Sequence, residues 1–171
     1  MNNLYTIYTD DEIDIFKQLS IKNDTLTPTS KLLEISKKIP IFNDIPENIL
    51  IKILKDIKII KYKKDEIIIN ENENDDTILF ILIGSVKVLQ KQKLITTLSN
   101  HTIIGEMASL LNEKRTASII SNSDSTIIIS FKIDFSLNHS SLGFYFSIIY
   151  KNLAKELAKK ILHQNQQIIN K

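Results

Sequence analysis

Residues 103–118 read IIGEMASLLNEKRTAS, and they place a glycine, a carboxylate and an arginine at fixed offsets inside an apolar, strand-rich region. Gly105 and Glu106 come first, and Arg115 follows nine residues after the glutamate. An acid and a base so spaced can serve the two polar ends of a sugar phosphate. The carboxylate accepts from a ribose hydroxyl, and the guanidinium forks onto a phosphate. Between them, EMASLL has a short helical pattern. A barrel can close with a plain hairpin, so a helical insertion among strands reads as a site. Taken alone, Glu106 and Arg115 would pass for an ordinary surface ion pair. The strands around them, and a glycine in a chain that has three, turn the balance towards a ligand site.

Outward from this stretch, the segments 59–62, 66–69, 77–83, 85–91, 94–98, 117–121 and 126–132 are short runs rich in Ile, Val, Thr and Phe, the composition of strands. Turn residues separate them, among them Lys63-Lys64-Asp65, the run from Asn72 to Asp76, Gly84 and Ser99-Asn100. Seven or eight short strands at this spacing predict a sandwich or barrel. Helices flank it. Acids at Asp10, Asp11, Glu12 and Asp14 open a helix over 10–19. Ser30 caps a second helix that Pro40 ends, and Pro46 suits the first position of a third, over 47–57. A long helix is expected over 143–169, about 40 Å if helical throughout. The fold class is therefore mainly β with flanking helices, divided into an N-terminal helical arm (1–37) and a β-roll with a long C-terminal helix (38–171).

The composition narrows the chemistry. With 171 residues and no cysteine, a disulfide framework, a thiolate zinc site and a cysteine nucleophile are excluded. The net charge of +2 is too small to argue for nucleic acid, and Lys61, Lys63 and Lys64 read as a solvated turn. His101, His139 and His163 have no ligand spacing, so no metal is expected. The acids at 10–14 mimic part of a calcium loop but lack its glycine and final glutamate. The N-terminal stretch does not read as a leader and no apolar run is of spanning length, so neither a leader nor a spanning helix is expected. A cytoplasmic, non-enzymatic binding module with no membrane partner is the expectation.

The same residues resemble a known family, the cyclic nucleotide-binding domains of catabolite-activator-type regulators, kinase regulatory subunits and nucleotide-gated channels. The likeness covers roughly residues 38–165. IPIFNDIPENILIKILKDIKIIKYKKDEIIINENE is similar to the family's opening helix and first strands, DDTILFILIGSVKV to its strand-glycine-strand hairpin, and IIGEMASLLNEKRTASI to its phosphate-binding cassette. FKIDFSLNHSSLGFYFSIIYKNLAKELAKKIL resembles its hinge and closing helix. The resemblance implies a β-roll that holds a 3′,5′-cyclic nucleotide, cAMP ahead of cGMP. Glu106 would accept from the ribose 2′-hydroxyl and Arg115 would pair with the cyclic phosphate. Backbone N–H groups of Ala108, Thr116 and Ala117 would complete the nest. Gly105 and Met107 belong to the cassette, and Val86 and Ile95 match positions that wall base and sugar, whereas on the sequence alone both read more readily as core. In some members a hydroxyl at the position of Thr116 touches the purine and favours guanine.

The chain also departs from the family pattern. Asn72 and Asp75 stand where glycines are usual, His101-Thr102 replaces a Gly-Asp, and Lys114 replaces a proline. These changes motivate the alternative of a degenerate β-roll that serves as an interaction or dimerisation module without nucleotide. Along the last helix, Phe146, Tyr150, Leu153, Leu157, Ile161 and Ile168 form an apolar stripe, widened by Ile149, Ala154, Ala158, Leu162 and Ile169. Its far end suggests a homodimer; packing against the N-terminal helices is the other reading. No helix-turn-helix is read in these residues, so the expectation is that output passes through the dimer or an unknown downstream protein.

Overall fold

The computed structural model describes residues 36–169, apart from the side chains of Lys55, His163, Gln164, Gln167 and Ile168. The helix expected over 10–19, most of that expected after Ser30, the acids at 10–14 and nearly all of the arm assigned to 1–37 lie outside the described residues. A 3-10 turn at Pro40–Phe42 leads into α1 (Glu47–Ile53). Then come β1 (Leu54–Tyr62), β2 (Ile67–Ile69), β3 (Ile78–Ile83), β4 (Ser85–Gln90), β5 (Lys93–Ser99), β6 (Thr102–Ile104), α2 (Glu106–Leu111), β7 (Ser118–Ser121) and β8 (Thr126–Ile133). A 3-10 turn at Phe135–His139 ends in α3 (Gly143–Ile169).

The strands form two four-stranded antiparallel sheets, ordered β1-β8-β3-β6 and β2-β7-β4-β5. The apolar run ILFILI shows why a central strand need not alternate. All six residues of β3 are buried. Ile78, Phe80 and Leu82 pack towards α1 and α3 in one core, with Ile129 and Phe131 of β8. Leu79 and Ile81 point the other way into a second core, with Val86, Ile104, Ile119 and Ile128. Each fully buried side chain of this size contributes about 1.5–3 kcal/mol, so two-sided burial makes β3 and β8 the spine of the roll.

Three boundaries differ from expectation. The helix predicted over 47–57 stops at Ile53, and Leu54 is already extended, with ψ 133. Leu54 pairs with Ile133, a bulge lies between Lys55 and Lys58, and Asp56 takes a left-handed φ of 52. Leu54 and Ile57 fit a helical period as well as a strand, and pairing with β8 decides the matter. Pro46 is the residue before the helix, with ψ 146, rather than its first residue. Strand β6 was not expected; it is three residues long and sits directly before Gly105.

Helix α3 is fastened at its first half. Phe146, Ile149 and Leu153 are buried in the first core. Between them Asn152 is 6% exposed, and its Nδ2 donates to the carbonyl oxygens of Ile41 (3.3 Å) and Asn43 (2.9 Å). The far end is free of that core: Ile161, Leu162 and Ile169 are exposed. No described helix is long and apolar enough to cross a membrane.

Asn152 is thus the polar rivet between α3 and the turn at 40–42. Asn152→Ala takes the donor from the buried Ile41 carbonyl and the part-buried Asn43 carbonyl and is expected to lower unfolding stability by about 1–3 kcal/mol. Urea titration of both proteins measures this; coincident midpoints would contradict the role.

Candidate functional site

A cavity of about 700 Å³ opens between the second sheet, α2 and α3, within the range of about 300–1,000 Å³ typical of small-molecule sites. Its apolar walls include Ile69, Val88, Leu98, Ile104 and Ile119, and α3 contributes Leu157, Lys160 and Ile161.

At one end the backbone turns sharply. Gly105 has φ 82, and a Cβ there would meet Arg115 Nη1 at 2.5 Å and the Thr77 carbonyl at 2.9 Å. The glycine therefore serves both a left-handed backbone and the close approach of the guanidinium. It is followed at once by α2, whose first residue is Glu106.

Arg115 is 3% exposed, and three groups hold its guanidinium. Nη1 donates to the Gly105 carbonyl at 2.9 Å, and Nη2 donates to Asp75 Oδ2 and to the Thr77 carbonyl, both at 2.5 Å. The main chain is clamped too: Arg115 N donates to Glu73 O at 2.9 Å, and Asn72 N donates to Arg115 O at 2.8 Å. Asn72 adopts a left-handed φ of 69, as its side chain tolerates. Asp75 has no such backbone; its carboxylate accepts from Thr77 N at 3.0 Å, from Thr77 Oγ1 and from Arg115. Burial pushes the Asp75 carboxyl up, but the hydrogen bonds from Thr77 and Arg115 together hold it below its ordinary value. Arg115 Nε is the one buried side-chain polar atom among the described residues without a partner. A buried charged donor left unsatisfied is costly, and in a cavity wall it is suited to an anion.

Glu106 is 4% exposed and accepts at Oε1 from Lys160 Nζ of α3 at 2.5 Å. The pair reaches across the cavity and ties α3 to the cassette.

The structure brings Gly105, Glu106, Met107, Ala108, Arg115, Thr116, Ala117 and Ile95 to the wall of one cavity. Val86 is a correction. It is fully buried in the core beneath, and Val88, two residues on along the same face, takes the wall position. Reading the sequence missed Asp75 as the partner of Arg115, and Lys160 as the partner of Glu106. One signal was available: Arg115 is the only arginine in a chain whose other 21 long cations are lysines. A forked cation used once marks a place where a point charge does not suffice. Among the described residues no group of His, Cys, Asp or Glu could hold a metal ion.

Comparison with known proteins gives consistent findings. A family model described as the cyclic nucleotide-binding domain matches residues 59–136. A cGMP-dependent protein kinase of Eimeria tenella is 35% identical over 101 residues, 59% of this chain and 10% of the kinase. The chain thus spans about a tenth of the length of that relative. Among solved structures, cAMP-bound PfPKA-R has a TM-score of 0.53 at 25% identity, covering 78% of this chain and 46% of the other. A cyclic nucleotide-binding domain from Methylobacillus flagellatus has a TM-score of 0.59 at 22% identity, covering 81% and 80%; that likeness speaks for the fold.

The Asp75–Arg115 pair makes a pH-dependent prediction. A carboxyl whose folded-state pKa is lowered adds stability above its unfolded pKa and loses it as pH falls through the folded value. Wild type is therefore expected to be more stable than Asp75→Asn near neutral pH, with the gap closing as pH falls below the ordinary value of 3.8. Denaturant melts across that range test it; a gap that persists unchanged in acid would contradict the pairing.

Proposed function

We propose, from the match of residues 59–136 to the cyclic nucleotide-binding domain model, that this chain is a regulatory module whose cavity takes a 3′,5′-cyclic nucleotide. The carrying observation is the buried Arg115, which lines the cavity, is held on three sides and leaves its Nε without a protein partner. A cyclic phosphate is a compact monoanion, and a pre-positioned guanidinium meets it without reorganisation. Glu106, at the start of α2, offers its second carboxylate oxygen to the 2′-hydroxyl. A 2′-phosphate in that place would be repelled.

The first half of α3 is fastened to the roll while its far half borders the cavity, so the bound ligand would act on the far half. A ligand shifts that motion only through contacts made better in the closed form. Dimerisation through the exposed stripe of Ile161, Leu162 and Ile169 would be one route of output, and a downstream protein another.

Between the purines, the sequence alone put cAMP first. Two observations favour cGMP as the ligand to titrate first. Thr116 lies at the cavity wall beside Arg115, where its hydroxyl can accept from the 2-amino group that guanine has and adenine lacks. The relative with 35% identity is named a cGMP-dependent kinase.

Calorimetry with both nucleotides tests the proposal. Removing one partner of a buried charge interaction costs roughly 2–5 kcal/mol, so Arg115→Ala is expected to abolish measurable binding. Glu106→Ala is expected to weaken it by about 1.5–3 kcal/mol. Wild-type affinity in Arg115→Ala would reject the site. Failure of both nucleotides to bind wild type would favour the degenerate interaction module.

A further inference from the structure

The charges around the cavity divide unevenly between roll and helix. The roll lines the cavity with one carboxylate, Glu106, and one cation, Arg115, whose charge is already offset by Asp75 at its Nη2. The roll side by itself is therefore net negative, which opposes entry of an anion. Helix α3 contributes Glu156 and Lys159, joined at 2.6 Å, and then Lys160, joined to Glu106 at 2.5 Å. Glu156 and Lys159 cancel, and Lys160 is the surplus cation. The site reaches charge neutrality only with α3 docked.

We infer that Lys160 supplies the charge that lets the cavity accept an anion, and so couples docking of α3 to occupation of the Arg115 cradle. The inference rests on the reading of the cavity as a cyclic-nucleotide site. With α3 away, the Glu106 carboxylate faces the incoming phosphate unscreened by any cation of its own. With α3 docked, Lys160 offsets it, and one Glu106 oxygen stays available to the sugar hydroxyl. Coupling is reciprocal: whatever Lys160 adds to anion affinity, the anion adds to the docking of α3. The inner half of the helix is already fixed by Phe146, Ile149 and Asn152, so the mobile unit is the segment from about Glu156 onward. Lys160 is a positioning residue in this account. It acts through Glu106 and through the field in the cavity, and it leaves recognition of the phosphate to Arg115. The side chain of Lys160 is 24% exposed, so its effect is partly screened by salt.

The test uses the whole chain in wild-type form and as Lys160→Met and Lys160→Arg, with Lys160→Gln in reserve should the methionine variant aggregate. Titrating cGMP and cAMP by calorimetry at low and at raised salt, the methionine variant is expected to bind about tenfold more weakly at low salt, and the arginine variant within about threefold of wild type. The deficit should shrink as salt rises. Amide hydrogen exchange over residues 157–162 should slow on adding nucleotide to wild type and to the arginine variant, and stay fast in the methionine variant. Equal affinity of Lys160→Met and wild type at low salt, with equal protection of that segment, would overturn the inference and leave the nucleotide site standing. Absence of binding by wild type itself would remove the proposed function and this coupling together.

Discussion

One buried guanidinium organises this molecule. Arg115 is gripped by a carboxylate, two carbonyls and a pair of main-chain hydrogen bonds to the turn at 72–75. The grips come from two parts of the chain, the cassette and the connection between β2 and β3. The carbonyl of Gly105 belongs to the start of the cassette, that of Thr77 to the approach to β3, and Asp75 to the turn before it. Fixing one side chain therefore fixes these two parts relative to one another. A buried ion pair is weak support for stability in general, so its place here is better explained by what the geometry leaves over, a charged donor directed at no protein acceptor.

The aliphatic core serves that arrangement. β3 and β8 bury both faces, and α1 and the start of α3 cover the outer one. The inner face has fewer large residues, and the room they leave is the cavity. Glu106 then links the site to α3, whose Lys160 sits well past the last buried anchor of that helix, Leu153.

Much of this was legible in the sequence because its signals are local. Turn residues and β-branched runs gave seven of the eight strands, and α3 spans the predicted 143–169. The short helix at Gly105 stood out by its break in pattern. What stayed hidden depends on distant partners. Asp75 lies 40 residues from Arg115, and Lys160 lies 54 from Glu106, separations that no periodicity encodes. The change from helix to strand at Leu54 was unreadable because Leu54 and Ile57 satisfy both periods, and pairing with Ile133 chose between them. Val86 and Val88 share one face of β4, so composition alone could not say which was core and which was wall.

Because Arg115 is the only arginine of the chain, its Nε–H gives a single resolved signal in a nitrogen-proton correlation spectrum of labelled protein. Following that signal while adding cGMP or cAMP tests the central claim directly. A large, saturable shift, with the proton slowed in its exchange with water, is the expected result of a phosphate oxygen accepting from Nε. An unmoved signal in a protein shown by calorimetry to be saturated with nucleotide would contradict the account.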